Sequence, residues 1–147
     1  MEPILTAHIL AFQDNKVLLV RHGETAGHLT GTYGIPGGHL QENEDMMTAA
    51  LREFQEETGL SARPEDLQTF PRNKYTAEIQ RKDGSSKTYT MEIYIAMEFA
   101  GELHEDRETT PVWVLVEKLD DYNLLPNVKE AVGAAIEFLE EGYADEG

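Results

Sequence analysis

Between Gly34 and Leu60 the chain reads GIPGGHLQENEDMMTAALREFQEETGL, and this stretch permits little except a tight bend, one helix and a stop. Pro36 has no N–H to donate, and the surrounding glycines favour turns, so Gly34 to Gly38 cannot continue a helix and predicts a sharp bend. Asn43 is positioned to cap the helix that follows, and Glu44 and Asp45 suit the positive end of its dipole. Met47, Ala50, Leu51 and Phe54 recur at helical spacing and supply one apolar face. Gly59 stands where a left-handed residue ends a helix.

On that helix Glu53 and Glu57 lie one turn apart, with Glu56 beside them. At about 100° per residue the three carboxylates share an arc of roughly 100°, at the margin of the apolar stripe. Like charges this close repel one another, and the repulsion raises their proton affinity. A hard divalent cation removes that cost, because Mg2+ and Mn2+ prefer oxygen donors. A solvated acidic face is the other arrangement such a helix permits. Arg52, one residue ahead, can pair with a neighbouring glutamate and fix its direction.

The rest of the chain is rich in strands. Ile4 to Phe12 and Lys16 to Arg21 flank a turn at Gln13-Asp14-Asn15 and predict a hairpin. His22 to Tyr33 predicts a loop. Leu67 to Gln80 and Lys87 to Phe99 flank Lys82-Asp83-Gly84-Ser85-Ser86, a second hairpin turn. An acidic loop spans Gly101 to Thr110 before the strand Pro111 to Val116. Pro126-Asn127-Val128 opens a final helix, with Val128, Val132, Ala135, Ile136 and Leu139 inward and an end near Glu141-Gly142. The order β-β-α-β-β-β-α suggests a mixed sheet with helices packed on it. At 147 residues, without repeat, linker or low-complexity segment, residues 1–147 are expected to form a single domain.

Charge narrows the function. Lys and Arg number 12 against 28 Asp and Glu, a formal net charge of −16. Such a chain is not expected to grip a nucleic-acid duplex, which requires clustered cations. A polyanionic ligand would need the local sign reversed, and a divalent cation does this most simply. Zero cysteines exclude disulfides and thiolate metal ligation. No apolar run reaches the length of a membrane span, and MEPILTAHIL lacks a basic flank and a small-residue cleavage site. A cytoplasmic protein with no membrane partner is expected.

Gly38, Glu44, Arg52-Glu53, Phe54, Glu56-Glu57, Gly59 and Leu60 stand at the spacings of the Nudix box, with Pro36 to Gly38 as its usual lead-in. The segment resembles the signature of the Nudix hydrolases at every specified position, and strand order, the Trp113 strand and the last helix extend the resemblance more loosely. It implies an α+β fold of the α/β/α sandwich type, a mixed sheet packed between helices. It further implies Mg2+ or Mn2+ held by Glu53, Glu56 and Glu57, with a backbone carbonyl at Gly37 or Gly38. The implied reaction is attack of water on a phosphorus of a nucleoside diphosphate derivative. Glu53 is the box position able to deprotonate that water, Arg52 orients a glutamate, and Glu44 is structural. In many members the base lies on a later loop, where Glu105 and Glu108 are the candidates here. Arg21, His28, Tyr33 and His39 are the expected substrate contacts.

The resemblance leaves the nucleotide open. A nucleoside triphosphate, oxidised or not, cleaved to monophosphate and pyrophosphate is the first expectation. ADP-ribose, sugar nucleotides and dinucleoside polyphosphates are alternatives. ADP-ribose-type members carry a proline where this chain has Tyr75, with Pro71 too early, while a tyrosine matches the dinucleoside-polyphosphate type. A non-catalytic nucleotide-binding module of the same fold is a reading of another class, in which box glutamates are usually lost. A homodimer is an assembly the family allows. Leu18 to Thr25, LLVRHGET, also resembles the opening of a histidine phosphatase. That family needs a second late histidine and arginine, and the later histidines here, His28, His39 and His104, lack the context. Arg21 and His22 are therefore expected to end a strand and begin a loop.

Overall fold

The computed structural model describes residues 2–146, with side-chain surroundings through residue 141. Ten strands and two helices occur along them: β1 Ile4–Gln13, β2 Lys16–His22, β3 Tyr33–Gly34, β4 Gly37–His39, α1 Met46–Thr58, β5 Leu60–Ser61, β6 Leu67–Gln68, β7 Lys74–Gln80, β8 Ser86–Ala96, β9 Ala100–Gly101, β10 Thr109–Leu115 and α2 Val128–Glu146. Short 3-10 turns at Pro64–Asp66 and Val116–Asp121 complete the path.

The main sheet runs β10-β2-β1-β8-β6, with β3 on β2, β4 on β1 and β7 on β8. β1 and β8 are parallel over eight residue pairs, from Ile4↔Tyr89 to Ala11↔Ala96, while every other pairing is antiparallel. A strand at that position is covered on both faces, which is why β1 reads as a nearly unbroken apolar run. Its alternate side chains feed two cores. Ala7, Ile9 and Ala11, with Leu18 of β2, pack against Ala49, Ala50 and Phe54 of α1. Leu10, with Val17, Leu19, Ile93 and Ile95, packs against Val128, Ala131, Val132 and Ala135 of α2. The sheet is thus sandwiched between the helices, as expected.

The β1–β2 turn forms with Asp14 and Asn15 both in the left-handed region, φ 51° and 63°, the pattern of a type I′ hairpin. The β7–β8 hairpin closes with the Arg81 N–H donating to Ser85 O, and Gly84 carries its positive φ.

Four expectations are corrected. The cap of α1 is Asp45, whose Oδ1 accepts from Thr48 N at 2.7 Å; Asn43 lies outside the helix with φ 64°. The span Leu67 to Gln80 is two strands, because Phe70 turns into the α2-side core and Pro71 cannot donate to a ladder. Parts of the predicted loop and bend pair as β3 and β4. Finally, α2 passes through Gly142 to Glu146, since one glycine costs a helix only about 1 kcal/mol and does not end it.

Gly59 ends α1 with φ 85°, its N–H donating to Gln55 O at 2.9 Å. A Cβ there would come within 2.5 Å of Glu102 O and 2.6 Å of His104 Cβ. The substitution Gly59→Ala is therefore expected to cost at least about 1 kcal/mol, from the left-handed backbone alone and more from the clash. Urea denaturation measures this, and a loss under about 0.3 kcal/mol would contradict the assignment.

Candidate active site

Helix α1 meets the sheet at a point where the chain has no side chains. A Cβ on Gly37 would fall 2.3 Å from Ala7 O and from His8 Nδ1, and one on Gly38 would fall 2.7 Å from the carboxyl carbon of Glu53. The bare backbone instead lets the Gly37 N–H donate to Glu57 Oε1 at 2.7 Å. Arg52 holds the other acids. Its Nε and Nη2 donate to the two oxygens of Glu44 at 2.8 Å each, its Nη1 to Glu53 at 2.9 Å and Glu56 at 3.3 Å, and its Nη2 also to His39 O at 3.0 Å. The fork geometry of a guanidinium suits this many partners.

The carboxylates do not share one environment. Hydrogen bonding from Arg52 draws Glu44 down to about 2, so it is a fixed anion. Burial pushes Glu53 up, against the pull of Arg52. Burial pushes Glu57 up to about 8; Gly37 N–H opposes the shift, while Glu53, Asp106 and Glu108 add to it. Glu57 is thus a carboxylate held where its charge lacks a partner, the condition under which a cation is welcome.

Glu53, Glu56 and Glu57 line one end of a cleft of about 490 Å³, which Glu44 does not reach, and Asp106 and Glu108 face them from the loop before β10. Glu105 does not line it; its side chain turns towards Thr110 Oγ1, 3.5 Å away. The loop acids on the cleft are therefore Glu108, named from the sequence, and Asp106, which was not. Arg21 is exposed and lies outside the cleft, since burial alternates at the end of β2 and places His22 inward. Tyr33 is also outside, its ring edge-to-face with Tyr122 at 4.9 Å. Tyr75 belongs to the α2-side core. His39 and His28 both line the cleft.

Sequence reasoning missed the convergence of four imidazoles. His8, His22, His28 and His39 all line the cleft, far apart along the chain and joined only by the topology. His8 Nδ1 donates to Ile35 O at 2.9 Å, and His22 Nδ1 to Thr32 O at 3.1 Å. Burial lowers all four below the ordinary imidazole value, His8 and His28 to about 4. His28 and His39 were each expected near substrate, and the alternation of β1 turns His8 to the same face as Leu10.

The segment after His22 ties the cleft together. Gly23 N donates to Glu108 O at 2.8 Å and Thr25 Oγ1 to Arg107 O at 2.7 Å, on the acid loop. Lys82 Nζ, from the β7–β8 turn, donates to Gly23 O at 2.8 Å and Glu24 O at 2.6 Å.

Among the described residues no three acid or histidine side chains form a closed cation cage. Arg52 occupies the oxygens between Glu53 and Glu56 instead. The donors nevertheless suit a hard cation: all are carboxylates, and burial makes the ionised form of Glu57 costly in a way that a cation would offset.

A family model of the NUDIX domain matches residues 3–136. A Mycobacterium tuberculosis protein with the provisional name 8-oxo-dGTP diphosphatase 3 is 30% identical over 109 residues, 74% of this chain and 49% of that protein. The chain thus spans about half the length of that curated relative. A MutT NUDIX hydrolase structure from Burkholderia pseudomallei superposes with TM-score 0.73 at 20% identity, covering 91% of this chain and 98% of that one. A C. elegans Ap4A hydrolase structure gives TM-score 0.68 at 18% identity, covering 94% and 98%. At those identities the two structures speak to the fold alone.

The lowered imidazoles have a stability consequence. His8 and His28 bind fewer protons folded than unfolded, so their contribution is complete above about pH 6.5 and is lost as pH falls towards 4. Folding stability is expected to drop by about 3–5 kcal/mol between pH 7 and pH 4.5 on their joint account, with part of that slope removed in His8→Gln. Denaturant titrations at the two pH values measure it, and equal slopes in both proteins would contradict the role of His8.

Proposed function

Because the chain belongs to the Nudix family, we propose that it is a pyrophosphohydrolase of small nucleotides, cleaving a nucleoside triphosphate to monophosphate and pyrophosphate. The observation that carries this reading is the meeting of Glu53, Glu56 and Glu57 with Asp106 and Glu108 in one cleft, over the bare backbone of Gly37 and Gly38. Residues 1–147 act in this reading as one domain, in the reducing cytoplasm that the absence of cysteine suits.

Glu53, Glu56 and Glu57, with the carbonyl of Gly38, would hold Mg2+ or Mn2+. The bound cation supplies neutralisation of the diphosphate charge and a polarised phosphorus. The chain's own residues do the rest. Arg52 fixes the direction of Glu53 and holds Glu44 as a strut, so the carboxylates face the cleft at little reorganisation cost. Glu53, raised by burial, would take a proton from the attacking water, with Glu108 or Asp106 as the loop alternative, since Glu105 lies outside the cleft. The name of the M. tuberculosis relative puts oxidised guanine nucleotides on the panel of substrates to test.

The test is metal-dependent hydrolysis of a panel of nucleoside triphosphates, 8-oxo-dGTP, ADP-ribose, sugar nucleotides and dinucleoside polyphosphates, read as inorganic phosphate after pyrophosphatase treatment for the triphosphates and after phosphatase treatment for the others. Glu57→Gln is expected to lower turnover by about a hundredfold or more. The same substitution should raise the metal-free melting temperature by a few degrees, roughly what relief of one buried charge provides. A wild-type protein inactive on the whole panel with either metal, or a Glu57→Gln variant with full turnover, would remove the reading.

A further inference from the structure

The acids occupy one end of the cleft, and the other end has no role so far. On β7 the alternation Tyr75, Ala77, Ile79 turns every second side chain inward, and the next member of that series is Arg81. A guanidinium therefore stands where the stripe would otherwise supply an apolar side chain, and it lines the cleft. It is firmly held. Its Nη1 donates to the Tyr89 hydroxyl at 2.8 Å, and its backbone bridges to His28. Gly27 makes room for it, since a Cβ there would sit 1.6 Å from Nη2.

What it lacks is a counter-charge. In a chain of net charge −16, Arg81 forms no ion pair among the described residues. The imidazoles of His22, His28 and His39, which line the same cleft, cannot supply one, since an imidazole is either neutral or cationic. A half-buried guanidinium with free donors is costly unless acceptors arrive from elsewhere. The adjoining wall is aromatic: the Tyr89 and His39 rings stack at 19° with centroids 6.1 Å apart, and His28 stands 6.1 Å from Tyr89, tilted by 55°. Such a wall accepts a planar ring by stacking.

We propose that Arg81 is the specificity-determining residue of this cleft, reading the oxo edge of a purine base that lies against Tyr89 and His39. The inference rests on the reading above, in which the diphosphate of the same nucleotide lies at the acid end. A guanine-type base presents two adjacent acceptors, O6 and N7, which match the parallel donors of a guanidinium. Adenine replaces one acceptor with an amino donor, cytosine presents a donor, and thymine a single acceptor. An unpaired guanidinium held by a phenol therefore discriminates among bases where an ammonium would not.

Calorimetry of the whole chain without metal, using GMP, AMP, CMP and inorganic pyrophosphate as probes, tests this. Wild type is expected to bind GMP at least about tenfold more tightly than AMP or CMP. Arg81→Leu should erase that preference while leaving AMP and pyrophosphate within about threefold. Arg81→Lys, which keeps the charge and loses the fork, should fail to restore it. Tyr89→Phe, which frees the guanidinium, should weaken the preference by about threefold or more, and serves if Arg81→Leu does not fold. A wild type without base preference, or an Arg81→Leu variant that weakens all four probes alike, as a phosphate-holding arginine would, overturns the proposal. These measurements need no turnover. A GMP preference in a protein that hydrolyses nothing would therefore remove the hydrolase reading and leave this one standing.

Discussion

The approach of α1 to β1 across the backbone of Gly37 and Gly38 is the constraint on which the rest depends. A methyl group at either position would overlap Ala7, His8 or the carboxyl of Glu53. With the backbone bare, the Gly37 N–H reaches Glu57, and the amide and carboxylate anchor the helix to the sheet at the point where the cleft begins. Phe54 and the small residues Ala49 and Ala50 on the adjoining arc hold the helix close through their fully buried contacts with Ala7, Ile9 and Ala11. Packing and chemistry share the same four helical turns. One face closes the core, and its margin carries the acids.

Charge is distributed along that margin with a division of labour. Arg52 satisfies Glu44 fully and Glu53 in part, while Glu57 is left with a single amide donor and repulsion from three other acids. A helix built only for stability would not bury a carboxylate under those conditions, because the desolvation cost exceeds what one hydrogen bond returns. Strain of this kind is concentrated at functional sites in folded proteins.

What the sequence made legible was local. The bend, the helix, its glycine stop and both hairpin turns are decided by residues within a few positions of one another, so composition and spacing sufficed. The cap was misassigned to Asn43 because Asn and Asp two residues apart are equally good acceptors; the left-handed backbone of Asn43 resolves the choice in favour of Asp45. The parallel pairing of β1 with β8 and the gathering of His8, His22, His28 and His39 were not legible, since both depend on contacts between segments far apart in the chain. Arg21 was expected at the substrate without a register to place it, and a shift of one residue in a strand exchanges inside for outside. Glu105 and Asp106 differ by the same single step.

Residues 23–25 lie between the acid loop and the hairpin that carries Arg81, bonded to both through Glu108 O, Arg107 O and Lys82 Nζ. The loop that carries Asp106 and Glu108 and the turn next to Arg81 are therefore tied to one another through three residues, so that the two walls keep a common spacing.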